Sequence, residues 1–152
     1  MDSFGILDEA EMRARYGVDM EHYAKVKNIE AMCMLDIANR IITPAVIKYS
    51  KVVADEIIAK KAVNPDLSAE TEEKLLERLS DCLHEMGLKT HALHMLHEEA
   101  YDKETWPERA AAYVELVVPA MDNLRAVADR LEELTDRAYW PLPTYNDMLF
   151  YV

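Results

Sequence analysis

The sequence is poor in glycine, with three in 152 residues, and two of its six prolines stand close together near the C-terminus. A chain with so few turn formers supports few tight connections, so a small number of long helices is expected. The glycines Gly5, Gly17 and Gly87 are isolated, which leaves no glycine-rich loop to cradle phosphates. No serine is framed as a nucleophile elbow. Cations are scarce as well. Against 29 acidic residues there are 17 Lys and Arg, a formal net charge of −12. Nucleic-acid binding needs clustered cations, and so does attraction to an anionic membrane surface. No apolar run approaches the roughly 20 residues that span a bilayer. The opening Met1-Asp2-Ser3-Phe4-Gly5 lacks the basic and apolar regions of a signal peptide, so a cytoplasmic location is expected. Only two cysteines occur, Cys33 and Cys82. Each lies in a predicted helix among apolar neighbours and reads as a reduced core residue.

What is present is helical periodicity. Asp8 with Glu11 three residues on predicts a short first helix, which Gly17 should end. Asp19 then caps a second helix from about Met20 to Lys61, on the order of 60 Å long at 1.5 Å per residue. Pro44 lies inside it and should bend it. Residues 63–67 form a turn, Ser68 is an N-cap, and Glu70, Glu72 and Glu73 favour the positive end of a third helix to Tyr101. Leu75, Leu79, Cys82, Met86, Leu93 and Ala100 make its apolar stripe. Thr105-Trp106-Pro107-Glu108 is a capping box for a fourth helix reaching about Arg137. Its stripe is Tyr113, Val117, Ala120, Leu124, Val127, Leu131 and Leu134, interrupted by Pro119. The expected fold is all-α. An antiparallel bundle of three long helices, two of them proline-kinked, carries a short N-terminal helix and an extended aromatic C-terminal tail. Residues 1–18 are a lead-in, 19–138 the bundle and 139–152 the tail, one domain in all. A faint internal echo pairs Thr43-Pro44-Ala45 with Val118-Pro119-Ala120; chance or duplication accounts for it.

Two features point to a partner. From Ile29 to Val46 the second helix is apolar almost all round, through Met32, Cys33, Met34, Leu35, Ile37, Ile41 and Ile42, and such a helix is buried on all sides. The tail, rich in aromatics and held extended by Pro141 and Pro143, also requires an apolar surface. Coverage by the tail and the first helix is the competing explanation.

Chemistry-bearing constellations are few. His91, His94 and Glu98 share one helical face and are the candidate metal ligands, while His97 falls with the core stripe. A solvated or interfacial histidine face is the plainer reading, because one helix lacks the supporting ligands. Asp19-x-x-His22 and Asp81-x-x-His84 carry Asp where a di-iron bundle uses Glu. No catalytic or cofactor-binding residue is identified. A free-standing helical protein that binds metal weakly through its histidines is the alternative functional reading.

The tail, Tyr139-Trp140-Pro141-Leu142-Pro143-Thr144-Tyr145-Asn146-Asp147-Met148-Leu149-Phe150, resembles the closing segment of type III glutamine synthetases, Tyr-Trp-Pro-x-Pro-Thr-Tyr-x-Asp-x-Leu-Phe. Tyr23-Ala24-Lys25-Val26-Lys27-Asn28-Ile29-Glu30-Ala31, followed by Ile42-Thr43-Pro44-Ala45-Val46, is similar to another stretch of that family. So is Val118-Pro119-Ala120-Met121 with Leu124-Arg125-Ala126-Val127-Ala128-Asp129. The resemblance runs from about Arg15 to Phe150, with Asn146 at a position where a small residue is usual and Tyr151-Val152 extending past the motif. It implies a non-catalytic C-terminal appendage. The parent enzyme would make glutamine from glutamate, ammonia and ATP with Mg or Mn, and this stretch would hold neither. Implied partners are the catalytic domain of the same chain and neighbouring subunits of a large homo-oligomer, with no nucleic acid and no membrane. Ile37, Ile41, Trp140, Pro141, Pro143, Tyr145 and Phe150 are the expected docking residues.

Overall fold

The computed structural model describes residues 9–143 and 145–150. The expected cap Asp8 lies outside them, as do Thr144, Tyr151 and Val152. Every described element is helical: α1 (Glu9–Ile37), α2 (Thr43–Val63), α3 (Glu70–Tyr101), α4 (Trp106–Ala112), α5 (Val118–Leu134) and α6 (Tyr145–Phe150). Two π-helical turns, Ala38–Ile42 and Tyr113–Val117, join α1 to α2 and α4 to α5. None of the described helices is long and apolar enough to cross a membrane.

The short first helix is not a separate element. α1 runs through Gly17 and Asp19 without a break, and no described glycine takes the positive φ of a helix-ending cap. A glycine inside a helix costs only about 1 kcal/mol against alanine, which the surrounding turns absorb. The capping box at Thr105 forms as its spacing requires. Glu108 N–H donates to Thr105 Oγ1 at 3.4 Å, and Thr105 N–H donates to Glu108 Oε2 at 3.1 Å. The Thr105 hydroxyl also donates to Glu108 Oε2 at 2.9 Å, and this bond, with the smaller contribution of the Thr105 N–H, holds the Glu108 carboxyl below its ordinary pKa.

Both in-helix prolines follow a π-turn, Pro44 two residues after Ile42 and Pro119 two residues after Val117. Proline has no N–H, and in an α-helix its ring meets the carbonyl four residues back. A wider turn relieves that contact. Thr43 N–H bonds to Ala38 O and Val118 N–H to Tyr113 O, each reaching back five residues instead of four. The register shows the extra residue. Buried Ala24, Ala31 and Ala38 recur every seven positions, as do Val46 and Val53, but eight positions separate Ala38 from Val46. The faint echo between the two proline segments therefore has a shared backbone form.

The described residues fall into two compact units, one within residues 1–35 and 91–122 and the other within residues 36–90 and 123–152. The core of the first is built of small residues, with Ala24, Ala31, Ala100, Ala110, Ala112 and Ala120 buried around Leu93, Val117 and Tyr113. Within it α3 and α4 run antiparallel, since His97 meets Tyr113 while Tyr101 meets Arg109. The second unit is packed with larger groups: Ile42, Val46, Val53, Leu79, Met86, Leu124, Val127 and Leu131 are buried. Thr90 is buried there too, and its hydroxyl donates to Met86 O at 2.7 Å. Lys60 on α2 pairs with Glu72 on α3. Their hydrogen bond raises the Lys60 pKa and lowers that of Glu72.

The tail differs from the extended strap read from its prolines. Residues 137–139 form a turn, only a few positions around Pro141 and Pro143 are irregular, and α6 closes the segment. Trp140 is buried, 8% exposed, and the Tyr139 ring lies 5.4 Å from that of Tyr49 on α2. Burial raises the Tyr49 pKa. Cys33 is exposed and Cys82 half-buried, both free thiols, so Cys33 is not the core residue its apolar neighbours suggested.

Candidate functional site

In the first unit α1, α3 and the α4–α5 helix bring three polar side chains together. Asn28 Oδ1 lies 2.7 Å from His97 Nε2 and 3.3 Å from the Tyr113 hydroxyl. An amide oxygen only accepts, so the imidazole carries its proton on Nε2 and the tyrosine donates. Partial burial holds the His97 pKa below the ordinary histidine value, with the neighbouring His94 adding and Glu98 opposing. Burial also raises the Tyr113 pKa.

Beside this network lies a cavity of about 230 Å³ lined by Ala24, Lys25, Asn28, Tyr101, Trp106, Arg109 and Tyr113. The Arg109 guanidinium sits 4.9 Å from the Trp106 ring centre and 5.2 Å from that of Tyr101. Its Nε donates to Lys103 O at 2.7 Å. Lys25 Nζ lies 5.4 Å from the Trp106 ring and 2.5 Å from Glu21. A more open hollow of about 620 Å³ adjoins Asn28 and Tyr101 on the side of Met32, His94, His97, Glu98 and Asp102.

The candidate metal ligands are placed as follows. His91 is exposed. His94 Nδ1 is 3.6 Å from Glu98 Oε2, both well exposed, and His97 is engaged by Asn28. Among the described residues no three His, Cys, Asp or Glu side chains converge on one point. Asp19, His22, Asp81 and His84 are all exposed.

Of the expected docking residues, Ile37 is half-buried, Ile41 is 37% exposed, Trp140 is buried, and Pro141 and Pro143 are exposed. The side chains of Tyr145 and Phe150 lie outside the described residues. The helix apolar all round is not covered all round: Ile29 is 60% exposed and Met32 and Cys33 are exposed on α1. On α2, Ile47, Val52 and Ile58 are exposed, Ile58 at 66%. The Asn28–His97–Tyr113 network and the clamped Arg109 were not singled out from sequence. Local spacing gave one usable signal, Trp106 and Arg109 at i and i+3 on one helical face.

A protein-family model described as the glutamine synthetase C-terminal domain matches residues 1–61. A glutamine synthetase of Butyrivibrio fibrisolvens is 34% identical over 149 residues, covering 96% of this chain and 21% of that protein. One from Bacteroides fragilis (strain YCH46) is 28% identical over 150 residues, covering 95% and 20%. A type-3 glutamine synthetase of Dictyostelium discoideum is 25% identical over 149 residues, covering 95% and 20%. The chain spans about a fifth of the length of the curated relatives it matches.

Proposed function

The chain belongs to the glutamine synthetase C-terminal domain family, and from that premise we propose that it docks on the catalytic part of such an enzyme and supports its assembly. The observation that carries this reading is the exposure of four large aliphatic side chains on one helical stretch, Ile41 with Val52 and Ile47 with Ile58, each pair eleven positions apart and so on one face beside the buried Val46 and Val53. Single exposed aliphatics are ordinary, but several close together mark an interaction surface. Relatives about five times as long supply the occupant, namely the remainder of the enzyme chain or a neighbouring subunit of a large homo-oligomer. In this reading the parent reaction, ATP-dependent glutamine formation with Mg or Mn, belongs to residues outside this chain. The domain itself holds neither nucleotide nor metal. Cytoplasmic residence goes with it, in keeping with two free thiols.

The test uses a full-length enzyme that carries this domain. Ile47→Glu combined with Ile58→Glu should shift the oligomer distribution toward smaller species by light scattering, with little change in the KM for glutamate. The same pair in the 152-residue chain should leave helicity and melting nearly unchanged, since exposed substitutions usually stay within about 0.5 kcal/mol. An unchanged oligomer would sink the proposal.

A further inference from the structure

We infer that the cavity between α1, the end of α3 and the start of α4 binds a small organic carboxylate. The inference does not depend on the docking role. The chain carries 29 acidic residues, yet among the described residues none lines this cavity. Its charged lining is cationic, Lys25 and Arg109, beside the Asn28 amide and two tyrosines. Arg109 is held by its Nε bond to Lys103 O and by Tyr101 and Trp106, one ring centre 5.2 Å and the other 4.9 Å from its central carbon. Its terminal Nη groups meet no carboxylate among the described residues. A guanidinium fixed in this way is a preoriented fork, and a fork matches the two oxygens of a carboxylate. Asn28 adds a second donor. His97 and Tyr113 both bond its Oδ1, which fixes the amide and leaves its NH₂ group to be shared with whatever enters. Lys25 adds positive charge over Trp106, although Glu21 engages it.

The walls set the rest of the ligand. Tyr101, Trp106 and Ala24 offer apolar surface for a short carbon chain. At about 230 Å³ the space falls below the roughly 300–1,000 Å³ of drug-sized sites, so the ligand is small. Its carboxylate lies on Arg109 and Asn28, with its carbon body against the rings. A carboxylate of this kind has two sources, a free metabolite or a glutamate side chain of another chain segment. The cavity is walled on several sides by α1, α3 and α4, which favours the free molecule.

Calorimetric titration of the 152-residue chain with glutarate, with 1,5-pentanediol, with inorganic phosphate and with a blocked glutamate tetrapeptide separates these cases. Saturable binding of glutarate is expected, with none of the diol and weaker binding of phosphate, whose tetrahedral oxygens leave the apolar walls unfilled. Arg109→Gln should weaken glutarate by roughly tenfold or more, the loss of a charge-assisted bidentate pair. Arg109→Lys keeps the charge and the fold but not the fork, and should lose most of the affinity too. A saturable signal from the tetrapeptide but not from glutarate would overturn the inference in favour of a socket for another chain segment. No glutarate binding, or equal binding in Arg109→Lys, would overturn it outright.

Discussion

Trp140 shows how much a single side chain can hold. It is buried, and its indole Nε1–H has no hydrogen-bond partner among the described residues. Truncating a buried aromatic to alanine costs about 3–5 kcal/mol. An unpaired buried donor is itself a cost, of about 1–3 kcal/mol. Trp140→Ala should therefore lower the denaturation midpoint strongly, while Trp140→Phe, which removes the orphan N–H and keeps most of the ring, should lose far less. Urea unfolding of both variants at equal m-value reads the difference directly. His97 gives a pH signature. Its folded pKa lies below the ordinary value of about 6.5. Between the two values the unfolded chain binds more protons, so this residue's contribution to stability is full at neutral pH and falls as pH drops through that window. The melting-temperature gap between wild type and His97→Gln should shrink from pH 7.5 to pH 5. A gap independent of pH would show that the imidazole is not titrating with unfolding. None of the Asn28 partners was legible beforehand. They lie 69 and 85 positions away, and no local periodicity encodes a polar contact at that range.

At the scale of elements, the apolar stripes were legible because a long helix repeats its buried face. Leu79, Met86, Leu93 and Ala100 on α3 are all buried, and so are Tyr113, Val117, Ala120, Leu124, Val127 and Leu131. The capping box was legible for the same local reason. The π-turns were not, because a proline in a helical pattern announces a disturbance without saying whether the helix bends or widens. Gly17 misled because its small penalty is easily outweighed. The widened turn before Pro44 makes a specific prediction. Deleting exposed Asn39 removes the extra residue and restores a seven-residue step between Ala38 and Val46, but it returns the proline ring to a clash worth about 3 kcal/mol. Deletion alone should destabilise by about that amount, and deletion together with Pro44→Ala should recover most of it. Deleting Lys51, in the α-helical body of α2, turns Val53 about 100° off the core and should cost more than either. Circular dichroism melts of the three variants rank them.

For the molecule as a whole, the acidic excess and the lack of any phosphate cradle bear on chemistry. Phosphoryl transfer needs oriented metal ligands and cations around the phosphates, and among the described residues no acidic or histidine cluster provides them. The 152-residue chain should release no phosphate from ATP at any Mg or Mn concentration in a coupled assay. A turnover signal abolished by a point change in this chain would show that it carries catalytic groups. The family resemblance was legible in the tail motif, whereas the burial pattern of α1 was not. Apolar character alone does not tell which side of α1 faces a neighbour, and Ile29, Met32 and Cys33 are apolar yet exposed.

The eight-residue step between Ala38 and Val46 also bears on how such chains diverge. The residues before it and after it keep separate seven-residue counts, joined by one added position and tied to one imino acid. A homologous chain with an ordinary amino acid in place of Pro44 has no clash to relieve, so it can drop the added position and keep both counts in phase. Alignments of such homologues should therefore open a single-residue gap between these two sites wherever the proline is missing, and close it wherever the proline returns.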